Sequence, residues 1–252
     1  MPTRRQVVGG FAALPVLAAL PPFIATAKAA DALAGDTVST SGGDVVIHPV
    51  HHASLLLGFG DAVIYVDPVD ATLFTDLPAP TAILITHAHG DHFDVPTLTA
   101  IGAGVPLIAP QVVLDGLPEE MKQNAQLMAN GDKGEVAGIT LEAVPAYNTT
   151  EDRLKYHPKG VGNGYLLTFG DKVVYVAGDT EDIPEMRALT GIEVAFLPMN
   201  LPYTMTEEQA ADAVKAFKPK IVYPYHYQGS DPKKFATLVG DAAEVRLVDW
   251  YA

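Results

Sequence analysis

The sequence predicts an α/β (α+β) fold, and three observations lead to this prediction. Short β-rich segments separated by glycine turns open the region after residue 43, before any helical segment appears. The chain has 252 residues and 48% hydrophobic content, enough to bury one sizeable core. It shows no strong internal repeat, low-complexity tract or linker that would divide it. We therefore expect one globular domain over residues 30–252.

The pattern of apolar runs and turn residues predicts where each strand and helix lies. The first three β-rich segments are separated by Gly-Gly or Gly-Asp pairs, so an antiparallel sheet should open the fold. The third predicted helix has the clearest boundaries, because Thr206 and Gln209 form a capping box and Pro219 stops it. The predicted strands are 44–50, 54–59, 62–66, 82–86, 106–109, 141–146, 165–169, 173–176, 194–197 and 221–225, and the predicted helices are 95–101, 184–189 and 206–217.

A cluster of metal-binding residue types follows the apolar run 82–86. His87, His89, Asp91 and His92 occupy four of six consecutive positions, a density far above ordinary composition. In an extended segment residues two apart point the same way, so His87 and His89 can bind one ion. Gly90 lets the chain turn, after which Asp91 and His92 can face a second ion.

Three further polar residues also follow apolar runs. Asn148, Asp179 and His226 come directly after or shortly after predicted strands, as His87 does. Rigid strands would hold such side chains in place, and the turns after them leave a coordination position open for water. This arrangement is typical of a catalytic rather than a structural metal site.

The run HAHGDH, with Asp179 and His226 behind it in that order, resembles the signature of the metallo-β-lactamase superfamily. The resemblance covers roughly residues 44–250. It implies a four-layer αββα sandwich and a centre of one or two zinc ions. In that centre Asp179 would bridge the two sites, His226 would complete the second site, and Asp91 would both bind metal and orient the attacking water.

A finer resemblance rests on fewer residues. The segment 51–54, which reads His-His-Ala-Ser, precedes a hairpin that ends in Asp67-Pro68. This is similar to the branch containing ascorbate-6-phosphate lactonase and N-acylphosphatidylethanolamine phospholipase D. The resemblance places His52 near the metals, whereas Asp67 is expected to be a strand-end cap or a support for the metal loop and not a ligand.

The chain departs from the family pattern at Asn148, where a third histidine of the first site is expected. An amide oxygen is a poorer zinc ligand than imidazole and suits manganese or magnesium better. The first site could therefore be weak, hold another metal such as Mn, or be completed by another residue. His157, in a glycine-rich loop, is the candidate substitute ligand, and the alternatives are a residue of the substrate pocket or a solvent-exposed loop histidine.

The chemistry predicted from these residues is metal-assisted hydrolysis of a small ester, lactone, amide or phosphoester. Tyr147, Tyr165 and Tyr203 are candidates to line the substrate pocket, although tyrosines beside glycine turns also commonly pack in a core. A non-catalytic protein that keeps the fold, binds one metal and acts as a scaffold is the alternative. The presence of Asp91 favours the enzyme.

Charge and the N-terminal segment lead to two further expectations. With 16 basic and 30 acidic residues, the formal net charge of −14 argues against a nucleic-acid partner.

The N-terminal segment resembles a twin-arginine signal peptide over residues 1–29, because it contains Arg4 and Arg5, the apolar stretch 10–25 and the run Ala27-Lys28-Ala29. That reading predicts a periplasmic or secreted protein with no stable membrane anchor after processing. The chain has no cysteine and hence no disulfide framework.

Overall fold

In the computed structural model, residues 29–251 are described, and they form two seven-stranded sheets. Strands β1–β7 lie side by side in chain order in the first sheet, and β8–β14 do so in the second. The strands are Asp36–Thr40, Gly43–His51, Ser54–Phe59, Ala62–Val66, Ala82–Leu84, Leu107–Ala109 and Ala125–Leu127 (β1–β7), then Lys133–Val136, Ile139–Ala146, Gly162–Phe169, Lys172–Val176, Ile192–Pro198, Ile221–Tyr225 and Glu244–Val245 (β8–β14).

Both sheets are mixed and share one plan. Strands β1–β4 pair antiparallel and β4–β7 pair parallel, and the second sheet repeats this with β8–β11 antiparallel and β11–β14 parallel. The expected antiparallel opening is confirmed for β1–β4. Parallel neighbours need a crossover, which helices and irregular segments supply here.

Within the described part of the chain, six α-helices accompany the sheets. They are Val95–Gly102, Gln111–Gly116, Glu119–Lys122, Pro184–Arg187, Glu207–Phe217 and Pro232–Val239 (α1–α6). The capping box predicted for the long helix is present, with Thr206 as the N-cap residue and Gln209 as its partner. Within residues 29–251, no helix combines the length and the apolar character that a membrane span requires.

Three apolar clusters separate four layers. Side chains of both sheets, such as Leu55 and Tyr165, meet in the central cluster. The opposite face of the first sheet packs on helices α1 and α2 through residues such as Leu98, and that of the second sheet packs on α5 through Val214. Because successive residues of a strand face opposite ways, Leu55 and Leu57 enter the central layer while Leu56 faces the helices. The predicted αββα sandwich is thereby confirmed.

The sequence analysis did not predict several strands and helices, for reasons that can be identified. Strand β1 carries one buried residue, Val38, among polar ones, and β14 has two residues. Helices α2 and α3 have six and four residues, too few to show a helical period. Helix α6 did carry readable signals, because Asp231 caps it and Pro232 occupies its first turn.

The fold brings the two sheets into direct contact where their strands end. The Asn163 backbone N–H donates to the Thr86 carbonyl at 2.9 Å, and the Tyr165 hydroxyl donates to the Ile85 carbonyl at 2.8 Å. These bonds join the end of β5 to β10 of the opposite sheet. The segment that follows β5 therefore lies at the junction of the two sheets.

Candidate metal centre

The His-rich motif forms the turn between β5 and helix α1. Backbone N–H groups of His92 and Phe93 both donate to the His89 carbonyl, at 3.0 and 2.8 Å, which closes the turn. Asp94 then caps α1 by accepting from the Thr97 N–H at 2.9 Å. The turn thus presents the motif's side chains on one side of a fixed backbone.

Asp91 and the histidines of this motif converge with residues of the second sheet in two adjoining clusters. In the first cluster the ligand atoms of His87, His89, His157 and Asp179 lie within 4.8 Å of one another. His157 Nε2 is 3.2 Å from His89 Nδ1 and 3.2 Å from Asp179 Oδ2. His87 Nε2 is 3.0 Å from His89 Nδ1. Three imidazole nitrogens and a carboxylate oxygen therefore point at a common space.

The second cluster shares Asp179 with the first. His92 Nε2 lies 3.4 Å from Asp179 Oδ1, and His226 Nε2 lies 3.5 Å from Asp179 Oδ2. Asp91 Oδ2 lies 3.3 Å from His226 Nε2 and 3.2 Å from His52 Nε2. Asp179 is the one carboxylate common to both clusters among the described residues, in the position of a bridging ligand.

Two histidines of the second cluster have an uncommon backbone conformation. His52 and His226 have φ angles of 53° and 47°, in the left-handed region that L-residues rarely adopt. Backbone hydrogen bonds hold both, because the His226 N–H donates to the His52 carbonyl at 3.0 Å and the His52 N–H donates to the Trp250 carbonyl at 3.1 Å. Such conformations persist where the surroundings fix them, and they concentrate at functional sites.

The donor atoms fit bound zinc. His92 Nε2 and Asp179 Oδ1 are buried, face each other and have no hydrogen-bond partner, an arrangement that is costly unless a ligand satisfies both. A tetrahedral ion with bonds of about 2.0–2.1 Å separates its ligand atoms by about 3.3 Å. The distances of 3.0–3.5 Å described above agree with that spacing, and a nitrogen-rich donor set suits zinc.

The charge states of Asp179 and His87 also suit a cation. Burial alone would raise the pKa of Asp179, but His226 and His92 outweigh it and hold the pKa well below its usual value. Burial, together with the neighbouring His92, lowers the pKa of His87 well below its ordinary value. Asp179 is therefore ionised and His87 neutral, the forms that bind metal.

Supporting residues orient the ligands. The buried carboxylate of Asp67 accepts from the Thr86 backbone N–H and hydroxyl and from His92 Nδ1, each at 2.7 Å, as expected of a support for the metal loop. The Tyr251 hydroxyl lies 2.9 Å from His52 Nδ1. With its Nδ1 engaged, each imidazole turns Nε2 toward the cluster. Tyr251 lies far along the chain, and no sequence pattern pointed to it.

The structure brings His157 into the first cluster, and it pairs the side-chain nitrogen of Asn148 with two backbone carbonyls. His157 Nδ1 pairs with the Tyr203 carbonyl at 3.1 Å, which leaves Nε2 for the cluster. The Asn148 amide nitrogen donates to the carbonyls of Arg153 and Tyr203, at 3.1 and 2.7 Å. The residue at the expected third-histidine position thus fixes the loop that carries His157.

A cavity of about 1170 Å³ opens above both clusters. His52 and Tyr203 line it, together with Leu73, Tyr156, Gln228 and Tyr251, which the sequence did not suggest. Two tyrosines expected in the pocket lie elsewhere, and the expectation is corrected. Tyr165 is fully buried between the sheets, and Tyr147 packs against the helices with its hydroxyl on Glu185 at 2.8 Å.

Comparisons with known proteins agree with this geometry. Residues 46–226 match the model of the β-lactamase superfamily domain. A "UPF0173 metal-dependent hydrolase" of Pyrococcus horikoshii is 36% identical over 66% of this chain and 77% of its own, and a Deinococcus radiodurans relative of the same name is 31% identical over 66% and 71%. The crystal structure of a protein from Parabacteroides distasonis, named as a metal-dependent hydrolase, superposes with a TM-score of 0.79. It is 41% identical, with 87% of this chain and 99% of the other covered.

The fold and the clustered ligands define a metal-dependent hydrolase of the metallo-β-lactamase superfamily. Within that superfamily the chain belongs to the UPF0173 metal-dependent hydrolases.

The same comparisons require one correction of the sequence interpretation. The Pyrococcus and Deinococcus relatives are named as metal-dependent hydrolases, and nothing in their names supports a signal segment, the periplasm or twin-arginine export. The export motif lies in residues 1–28, outside the described residues. The interpretation of residues 1–29 as an export signal is therefore withdrawn.

Proposed function

We propose that the protein is a zinc hydrolase with two metal positions, acting on an ester, lactone, amide or phosphoester bond of a small molecule. The observation that carries the proposal is Asp179, whose Oδ2 faces His157 and whose Oδ1 faces His92. His87, His89 and His157 would hold one ion, and His92, His226 and Asp91 the other. The abundance of imidazole favours zinc, with manganese as the alternative.

Bound zinc would supply Lewis acidity and make hydroxide available near neutral pH. Asp91 supports this chemistry from the side of the pocket, because its side chain is 49% exposed and it lines the cavity. Burial raises the pKa of Asp91, but hydrogen bonds with His226 and His52 overcome this and lower the pKa below its usual value. The ionised carboxylate can bind the ion and orient the attacking water.

His52 and Tyr251 keep Asp91 in place. His52 joins Asp91 Oδ2 through Nε2 and the Tyr251 hydroxyl through Nδ1, at 3.2 and 2.9 Å. A fixed carboxylate lowers the cost of aligning water with the bond to be broken. The closer kinship to ascorbate-6-phosphate lactonase and N-acylphosphatidylethanolamine phospholipase D stays a prediction from segment 51–54.

The test combines metal content with turnover. Protein stripped with a chelator and reloaded with zinc or manganese is assayed on matched ester, lactone, amide and phosphoester substrates. Asp179→Ala should abolish hydrolysis and lower zinc content measured by mass spectrometry, because the repulsion between two cations is then uncompensated. Asp241→Ala, an exposed aspartate outside both clusters and the cavity lining, is the control.

Two results would contradict the proposal. Full zinc content and wild-type turnover in Asp179→Ala would exclude a bridging role. Zinc uptake without turnover of any substrate by the unaltered protein would favour the non-catalytic scaffold.

A further inference from the structure

The cavity above the metal centre is lined by acidic residues and histidines, without lysine or arginine among the described residues. Among the described residues that line it, none is lysine or arginine, whereas Asp70, Asp91 and Asp179 are acidic. Hydrogen bonds from Thr72, together with the nearby His51, lower the pKa of Asp70, which keeps it ionised at the rim. Beyond the metal positions and the histidines, the wall therefore offers an anionic group of a substrate no lysine or arginine as counter-charge.

Two of the three basic side chains on the nearby loop 149–161, those of Arg153 and Lys159, are paired with carboxylates outside the cavity lining. Arg153 pairs with the buried Glu181 at 2.6 Å. Lys159 pairs with Glu185 at 2.9 Å, and Lys155 Nζ lies over the Tyr156 ring, 5.0 Å from its centroid. Of the three, Lys155 is the cation placed against a lining residue, so it must be tested directly.

Apolar side chains that line the cavity remain open to solvent. Leu73 and Tyr203 are 41% and 43% exposed, and the Tyr203 ring contacts the ring of Tyr156 edge to face, with centroids 4.9 Å apart. Val69 lies on the same wall as Leu73. Exposed apolar residues gathered in a concave site are typical of a surface that a ligand covers.

We propose that the substrate is an uncharged carboxylic ester, lactone or amide with an apolar substituent, and that the cavity disfavours anionic substrates, phosphomonoesters and phosphodiesters included. The inference rests on the proposed hydrolase function and narrows its substrate class. The reactive carbonyl would lie at the metal centre and the apolar substituent against Leu73 and Tyr203. The acyl bond to oxygen or nitrogen breaks, water oxygen bonds to the carbonyl carbon, and a proton passes to the leaving alcohol or amine.

The first experiment varies charge and keeps the bond constant. Zinc-loaded protein is assayed with 4-nitrophenyl butyrate and with 4-nitrophenyl hemisuccinate, which share a leaving group and differ by a terminal carboxylate. We expect kcat/KM to be higher for the butyrate by about tenfold or more, since the carboxylate meets like charge in a poorly solvated site. Gln228→Lys, which places a cation on the wall, should reduce this ratio.

The second experiment tests the apolar wall. In the unaltered protein, kcat/KM should rise by about threefold for each added methylene between 4-nitrophenyl acetate and hexanoate. Leu73→Ser should flatten this dependence. Leu247→Ser is the matched control, because Leu247 is 46% exposed and does not line the cavity; the chain-length dependence should survive in it.

The outcomes separate this inference from the proposed function. Equal or faster turnover of the hemisuccinate, or efficient turnover of 4-nitrophenyl phosphate or bis(4-nitrophenyl) phosphate, would overturn the inference and leave the hydrolase intact. Loss of such anionic turnover in Lys155→Met would identify Lys155 as the overlooked cation. If no substrate is hydrolysed, the proposed function fails. Calorimetry then tests the preference of the cavity for uncharged over anionic ligands: hexanamide should bind the zinc-loaded protein more tightly than the monoamide of adipic acid.

Discussion

His157 takes the place that the family pattern assigns to a residue nine positions earlier. Its Nδ1 faces the Tyr203 carbonyl and its Nε2 faces His89 and Asp179. Asn148 donates to the same Tyr203 carbonyl. These contacts lead us to expect that His157 supplies a donor nitrogen and that Asn148 holds the carbonyl that orients it.

We expect His157→Ala and Asn148→Ala to change different properties, zinc affinity in the first and stability of the fold in the second. His157→Ala should weaken zinc binding by more than about a hundredfold, because loss of an outer-sphere partner alone costs about 10–100-fold. Asn148→Ala should instead destabilise the metal-free fold by about 2 kcal/mol, since it removes two partly buried hydrogen bonds. Competitive zinc titration and urea unfolding measure the two quantities. His51→Ala, a cavity histidine outside both clusters, is the control.

A zinc affinity that falls as far in Asn148→Ala as in His157→Ala would show that Asn148 is a ligand. Unchanged zinc affinity in His157→Ala would remove His157 from the centre.

At the residue level, the sequence identified ligands whose spacing is local. His87, His89, Asp91 and His92 lie together in the chain, so their proximity in space could be inferred from one motif. The role of His157 stayed open because it depends on how a loop folds back. Tyr251 and Leu73 reach the cavity only through tertiary contacts, which no local pattern records.

The loop 149–161 carries His157, and the buried carboxylate of Glu181 holds this loop in place. Glu181 Oε2 accepts from the backbone N–H groups of Thr149 and Thr150, each at 2.7 Å, and Oε1 accepts from Arg153 at 2.6 Å. The Glu181 side chain is fully buried. A buried carboxylate with this many donors fixes the loop relative to Asp179, two residues away along the chain.

Glu181→Gln should therefore affect both stability and metal binding. We expect a loss of about 3 kcal/mol in unfolding free energy, because the substitution breaks a buried ion pair and sets an amide N–H against donors. Zinc affinity should also fall, since the loop that carries His157 is loosened. Denaturant unfolding of the metal-free protein and zinc titration are the measurements. Glu185→Gln, in a solvent-exposed pair with Lys159, should change stability little.

Unchanged unfolding free energy in Glu181→Gln would show that the loop is held by other contacts. If Glu181→Gln is destabilised but its zinc affinity is unchanged, the anchoring of the loop by Glu181 does not influence metal binding.

Elements with a strong local pattern were predicted well. The strands Ser54–Phe59, Ala62–Val66 and Ile221–Tyr225 match their predicted bounds, because each is an apolar run between turn residues. The packing of the two sheets against each other could not be predicted from these apolar runs. It depends on the bond between Tyr165 and Ile85 and on the central apolar layer, which join residues distant in sequence.

At the scale of the whole molecule, the metal centre joins the two sheets. The motif 87–92 follows β5 of the first sheet, whereas Asp179 and His226 follow β11 and β13 of the second. A metal bound by both sets links the two halves of the sandwich. Without the metal, the acidic groups of the centre add to the repulsion of a chain with formal net charge −14.

Zinc should therefore stabilise the whole fold and not one loop. A ligand present at a thousandfold excess over its Kd adds about 4 kcal/mol to the unfolding free energy, which for a chain of this size raises Tm by about 10 °C. Thermal unfolding with chelator and with added zinc, followed by circular dichroism, measures the shift. Asp179→Ala should lose most of it, because Asp179 contributes to both clusters. A zinc-independent Tm in the unaltered protein would mean that the apolar layer and the hydrogen bonds of Asn163 and Tyr165 hold the two sheets together without the metal.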